Sequence, residues 1–278
     1  MDTKTLAQAL RQHPRDLGVI SAFWSVRPKF HLHVVDCTAS TNTAVWDLLN
    51  QGAPAGTTVI ARSQNAGRGQ WGRQWQSPPG GLYLSLALQP EVPATLSSQL
   101  TLAGAWGVAT SLSNLGVPVQ VKWPNDLVVE GRKLGGILTE TRVEKDQIAT
   151  AVIGIGINCT NPVPATGISL QQLLRPEQGE MTLNSLETVA AVVLYGLLQG
   201  YLFWQGQGTE ALLNAYQSRL ANVGQEITLN GHKWQVQGVT PSGNLQITDL
   251  QSDPQHDPQV LVKTRELHPG EITLGYNA

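Results

Sequence analysis

Cysteine is nearly absent: the 278 residues hold two, Cys37 and Cys159, and no C-x-x-C pair. This excludes a zinc ribbon and a disulfide framework, and both thiols read as small buried hydrophobes in a reducing compartment, the cytoplasm. Net charge is also lacking, at -2 with 14% charged residues, so any attraction for phosphate must be local rather than a field of the whole chain. A Walker A sequence, internal repeats and coiled-coil heptads are missing, and no signal-peptide pattern opens the chain. Long apolar runs are scarce too. The one candidate, Leu186 to Gln205, is interrupted by Glu187, Gln199 and Gln205, lacks basic flanks and has no companion. Despite its Gly196-x-x-x-Gly200 spacing, it reads as a buried core helix rather than a membrane span.

Glycine and arginine are present where they matter. The stretch ARSQNAGRGQWGRQW, ending at Trp75, alternates Gly67, Gly69 and Gly72 with Arg68 and Arg73. Backbone amides and guanidinium groups can converge there on an anion without Cβ atoms in the way, which is phosphate-handling chemistry. Strand-like runs at 57–61 and 81–88 flank it, so the loop hangs between two strands and feeds no helix.

The rest of the chain alternates in the same legible way. Residues 30–35 read as a strand, with His31 and His33 on one solvated face. Residues 36–52 read as a turn and a helix that Ser40, Thr41 or Asn42 caps and Gly52 ends. A helix spans 96–115, and strands follow at 119–123, on either side of a turn at Glu130-Gly131-Arg132, and at 149–158. Tyr83 and Ser85 share one face of their strand, with Leu82, Leu84 and Leu86 on the other. Helices are expected at 184–205 and 208–220. Short strands at 226–229, 233–239, 244–249 and 260–263 then suggest a small β-barrel, with a polar loop at 251–258.

Six segments occur in a fixed order: Ser40-Thr41-Asn42, Gln64, AGRGQWGRQW, Lys122-Trp123-Pro124-Asn125-Asp126, Lys133-Leu134-Gly135-Gly136-Ile137-Leu138 and Gly154-Ile155-Gly156-Ile157-Asn158. In that order the set resembles the biotin protein ligase family, across about residues 31–278. The resemblance implies an α+β fold: a mixed-sheet catalytic domain at 31–220 of the biotin/lipoate ligase type, then an SH3-like β-barrel at 221–278. Residues 1–30, interrupted by Pro14 and Pro28, are too few for the winged helix that some members carry, so no DNA binding and no repressor function are expected. KWPND and KLGGIL favour the biotin branch over the lipoate ligases, which share the fold.

The implied chemistry is ATP-dependent formation of biotinyl-5'-AMP, then transfer of biotin to a lysine of the biotin carboxyl carrier protein of acetyl-CoA carboxylase. By the resemblance Lys133 is catalytic, with Arg68 and Lys122. Biotin falls to Ser40, Thr41, Asn42, Gln64, Gly67, Arg68, Tyr83, Ser85, Lys133, Gly136 and Gly156. ATP falls to Arg68, Gly69, Gln70, Arg73, Trp75, Lys122, Asn125, Asp126, Lys133 and Asn158, with Mg²⁺ at Asp126. No membrane partner is implied, and a homodimer is left open. Trp71 and Trp75 are expected to anchor the loop as a lid. Gln70 and Trp71 stand where the family usually has two basic residues, which implies a weaker grip on triphosphate. Gly275, after a last strand at 271–274, stands where some members have an arginine.

Overall fold

Strand alternation builds the main layer. In the computed structural model, which describes residues 1–174, 183–250 and 263–276, the chain opens with the helix Thr3–Ala9 (α1) and reaches the first strand, His31–Thr38 (β1), followed by the helix Thr41–Asn50 (α2). Then come Thr57–Gln64 (β2), Leu82–Leu88 (β3), Val92–Pro93 (β4), the helix Ser97–Asn114 (α3), Gln120–Lys122 (β5), Asp126–Val129 (β6), Arg132–Glu144 (β7) and Gln147–Ile157 (β8). They form one sheet in the order β1-β2-β3-β8-β7-β6-β5, with β4 on β8. Only β1 and β2 run parallel; the other described pairs are antiparallel, which makes the sheet mixed as the pattern implies.

The two faces bury different things. Leu82, Leu84, Leu86 and Leu88 of β3 enter the large core, whereas Ala87 joins a second cluster with Val45, Val59 and Val152 beneath α2. A period of two in β2 and β3 thus sends one set of side chains to the helices and the other to the site. On the large-core face α3 packs against the helix Leu186–Gln217 (α5), which follows the short helix Leu170–Leu173 (α4). The approach is close because it uses glycine: a Cβ on Gly107 would run into the backbone of Gly196 and Gly200, and one on Gly200 into Ala103. The G-x-x-x-G spacing therefore serves a core contact, and α5 is buried along most of its apolar stretch. Its amide Gln199 is satisfied by Ile20 at 3.1 Å, the Gly107 carbonyl at 2.9 Å and Ser111 at 2.6 Å. The helix breaks at Gly208 (φ 82°), where the sequence separates two helices.

Residues 1–30 carry α1 and two 3-10 turns, Pro14–Leu17 and Ser21–Phe23, whose Leu6, Ala9, Leu17 and Val19 are part of the same core. At the other end Glu226–Leu229 (β9), His232–Val239 (β10), Leu245–Asp249 (β11) and Thr264–Leu267 (β12) form an antiparallel sheet in the order β12-β11-β10-β9. Among the described residues it is an open sheet rather than the closed barrel expected. The turn at Asn230-Gly231, with φ of 52° and 80°, makes the first hairpin as its sequence dictates. The loop expected at 251–258 lies outside the described residues, as does most of the strand expected at 260–263; Lys263 precedes β12. Residues 271–276 have no strand partner: the tail runs as irregular chain toward the site.

Candidate active site

The site lies where the α2 N-terminus, the glycine loop, the β5–β6 turn and the chain tail meet over strands β7 and β8. Glycines at the paired positions Gly136 and Gly156, and at Gly154, keep the sheet bare. A Cβ on Gly154 would strike Asn42 and one on Gly156 would strike Trp75, so polar side chains lie flat on the strands there.

At one end of the cleft is a neutral head pocket of Ser40, Thr41, Asn42 and Gln64. Gln64 Oε1 accepts from the Thr41 amide at 2.8 Å, and Gln64 Nε2 donates to Ser77 Oγ at 2.8 Å. Ser85 Oγ lies 2.7 Å from Thr41 Oγ1 and 2.6 Å from Asn42 Oδ1. Ser85 thus supports the pocket from behind and does not line it. Tyr83 does not line the cleft either, because its hydroxyl donates to the Pro78 carbonyl at 2.7 Å. Burial pushes that phenol far above its ordinary value and keeps it protonated.

The other end is cationic. Lys122, Lys133, Arg68 and Arg73 all reach the cleft. Lys122 is 6% exposed, and burial pulls its ammonium down to about 8, opposed by Asp126 and reinforced by Lys133 and Arg73. Lys133 Nζ sits 2.6 Å from Asp126 Oδ1. Asn125 lines the cleft while its amide donates to the Ile137 carbonyl at 2.6 Å, which ties the turn to β7. The Trp123-Pro124 peptide in that turn is cis. Asn158, expected at the nucleotide, is spent on structure. It donates to the Lys133 carbonyl at 3.2 Å and accepts from Asn161 at 3.1 Å, so it shapes the backbone that carries Lys133.

The loop is a hairpin. Gly69 N donates to Arg73 O at 2.7 Å and Trp75 N to Gly67 O at 2.9 Å, with Gln70–Gly72 as the tip. The Gly69 and Trp75 amides are therefore used within the loop, which takes these two out of the anion cradle expected from the glycines. Its glycines have the spacing G-x-G-x-x-G, but the segment joins two antiparallel strands and feeds no helix, so it is no dinucleotide fingerprint. Gly69, Gln70 and Trp75 line the cleft; Gly67 lies behind them, where a Cβ would meet the Trp75 carbonyl and Ser77. Trp75 Nε1 is buried without a partner among the described residues. Trp71 also lines the cleft and has its ring beside Gly270, but it is 66% exposed, so it anchors the loop less than expected. Cys37, expected buried, is exposed; Cys159 is buried.

The feature that sequence reasoning missed is the tail. Ile272, Thr273, Leu274 and Tyr276 line the cleft. Arg73 Nη2 reaches Thr273 Oγ1 at 3.4 Å, the Tyr276 hydroxyl donates to Asp126 Oδ2, and Lys122 Nζ lies 3.7 Å from the centre of the Tyr276 ring. Burial and the Asp126 carboxylate push this phenol up, so it remains a donor. Tyr276 thus directly follows Gly275, the position at which the resemblance has an arginine in some members.

A profile of the biotin/lipoate A/B protein ligase family matches residues 34–158, the segment that contains the head pocket, the loop and both lysines. The biotin--[acetyl-CoA-carboxylase] ligase of Paracoccus denitrificans is 31% identical over 199 residues, 68% of this chain and 81% of that one. The chain belongs to the biotin/lipoate A/B protein ligase family. Among other members, the bifunctional ligase/repressor BirA of Bacillus subtilis is 42% identical over 130 residues, 46% of this chain, and the match spans only 40% of that relative's length. The biotin protein ligase of Aquifex aeolicus, solved with biotin and ATP, superposes with a TM-score of 0.64 at 24% identity, covering 89% of this chain and 99% of that one. The fold is therefore that of a biotin protein ligase across nearly all of the Aquifex chain. The profile ends at Asn158, so Tyr276 lies beyond the segment it matches.

Proposed function

We propose that this chain is a biotin protein ligase that activates biotin with ATP and transfers it to the carboxyl carrier protein of acetyl-CoA carboxylase. One observation carries the reading: a neutral, amide- and hydroxyl-lined pocket opens directly into a site where two lysines and two arginines converge. That is the polarity of a ligand with an uncharged polar ring at one end and a carboxylate, to be joined to a phosphate, at the other. The name of the Paracoccus relative supports the acceptor.

In this reading Ser40, Thr41 and Asn42 take the ring, with Gln64 holding Thr41 in place. The biotin carboxylate attacks the α-phosphorus of ATP; the P–O bond to the β-phosphate breaks, and pyrophosphate leaves. Lys133 and Arg68 bridge the carboxylate and α-phosphate, while Lys122 and Arg73 offset charge on the triphosphate. A carrier lysine then attacks the acyl carbon as a neutral amine, AMP departs, and the amide loses a proton to solvent. The loop, with Trp75 against the sheet, shields the mixed anhydride from water.

No ready-made metal site is present: among the described residues no group of three His, Cys, Asp or Glu side chains gathers. Asp126 is the one carboxylate among the cleft-lining residues, and both its oxygens are engaged, by Lys133 and Tyr276. Magnesium accordingly enters with ATP, held by its phosphates. Cytoplasmic residence fits two free thiols and a buried α5.

The test is transfer itself. Purified protein, biotin, Mg·ATP and the apo carrier domain should give a carrier heavier by one biotinyl group at one lysine. Transfer of lipoyl instead would move the chain to the sister branch.

A further inference from the structure

We infer that Glu140 is a positioning residue of this site, a single carboxylate that fixes the loop arginine and the head-pocket amide relative to each other. The inference rests on the ligase reading for what those two groups bind. Its geometry stands on its own: Glu140 Oε2 accepts from Arg68 Nη2 at 2.9 Å and from Asn42 Nδ2 at 2.8 Å.

Sequence places it there. Gly136, Leu138 and Glu140 lie two apart on β7, so the strand that supplies KLGGIL presents Glu140 on the site face beyond the glycines. An isolated ion pair between side chains 43% and 28% exposed would contribute little. This one differs because the same oxygen also takes a charge-assisted bond from Asn42, at the buried N-terminal turn of α2. Only Nη2 of the guanidinium is engaged by Glu140, which leaves the rest of its fork for an anionic substrate. An arginine on a hairpin is otherwise among the costliest side chains to order.

The contact also closes a circuit. From Asn42 the chain of hydrogen bonds runs through Ser85, Thr41, Gln64 and Ser77 to the Trp75 carbonyl, back on the loop. The loop is therefore tied to the head pocket at both ends, at Arg68 through Glu140 and at Trp75 through Ser77. Filling the pocket and seating the arginine become one event.

Two measurements on the full chain test this. In biotin-dependent exchange of pyrophosphate into ATP, Glu140→Ala should lower kcat/KM for biotin about three- to tenfold, with Glu140→Gln falling between it and wild type because the amide oxygen still accepts. The losses should not multiply with Arg68→Ala: the double variant should retain at least about threefold more activity than the product of the single losses. Full multiplication would overturn the inference. In amide hydrogen exchange of the ligand-free protein, residues 66–75 should exchange faster in Glu140→Ala while α3 is unchanged. Unchanged loop exchange would also overturn it. Wild-type protein that fails to exchange pyrophosphate with biotin would sink the ligase reading instead, and the hydrogen exchange would still judge the tether.

Discussion

Lys122 is buried beside two other cations, and it is charged only below about pH 8. A neutral amine cannot draw in a phosphate, so kcat/KM for ATP should fall as pH rises through that value, and Lys122→Arg should remove the falling limb because a guanidinium stays charged. A pH profile of pyrophosphate exchange checks both. The same shift acts on stability with a definite sign. The folded-state value lies below the 10.5 of a free lysine, so folding favours the neutral amine and the chain gains stability between about pH 8 and 10.5. The segments that hold the lysines, the loop arginines and Ser40, Thr41, Asn42 and Gln64 are visible in the sequence because each is short and ordered, and the structure brings them to one cleft. Asn158, Tyr83 and Ser85 were placed in the right neighbourhood but in the wrong layer. Sequence reveals proximity along a strand, whereas which polar atom is already satisfied depends on partners such as Asn161, Pro78 and Asn42 that arrive from elsewhere.

At the scale of elements, the strands and helices followed from periodicity, and the packing of α3 on α5 from small residues. Gly107→Val should therefore cost about 1–3 kcal/mol in chemical denaturation, since its side chain would be driven into the α5 backbone. Gly206→Ala, in α5 with nothing near its Cβ position, should instead gain about 0.5–1 kcal/mol. The tail is the exception: residues 271–274, expected as a last strand, are irregular, and Thr273 and Tyr276 meet Arg73, Asp126 and Lys122 instead. Tyr276 donates to an Asp126 oxygen that, once released, could add a ligand to a phosphate-held magnesium. Tyr276→Phe keeps the ring over Lys122 and removes that bond, so the Mg²⁺ concentration for half-maximal exchange should fall about three- to tenfold. An unchanged Mg²⁺ dependence would separate the tail from the nucleotide.

For the whole molecule, the terminal segments are parts of one structure. Leu6 and Leu17 from the N-terminal segment and Val236, Ile247 and Leu267 from the C-terminal sheet share a continuous core with α3 and α5. Trp123, in the β5–β6 turn, donates its indole N–H to the Gly243 carbonyl at 2.8 Å. Composition gave the size of the core but not this sharing, since burial patterns do not say which surfaces meet. The consequence is functional: the C-terminal sheet supports the turn that carries Lys122, and the tail that follows it reaches into the cleft. In the proposed reaction this cleft joins biotin to the α-phosphate of ATP. It is tested most directly by exchange of labelled pyrophosphate into ATP with Mg²⁺ and either biotin, lipoate or octanoate. Exchange should require biotin and be abolished by Lys133→Ala; exchange with lipoate or octanoate alone, or with no acid at all, would show that the cleft does something else.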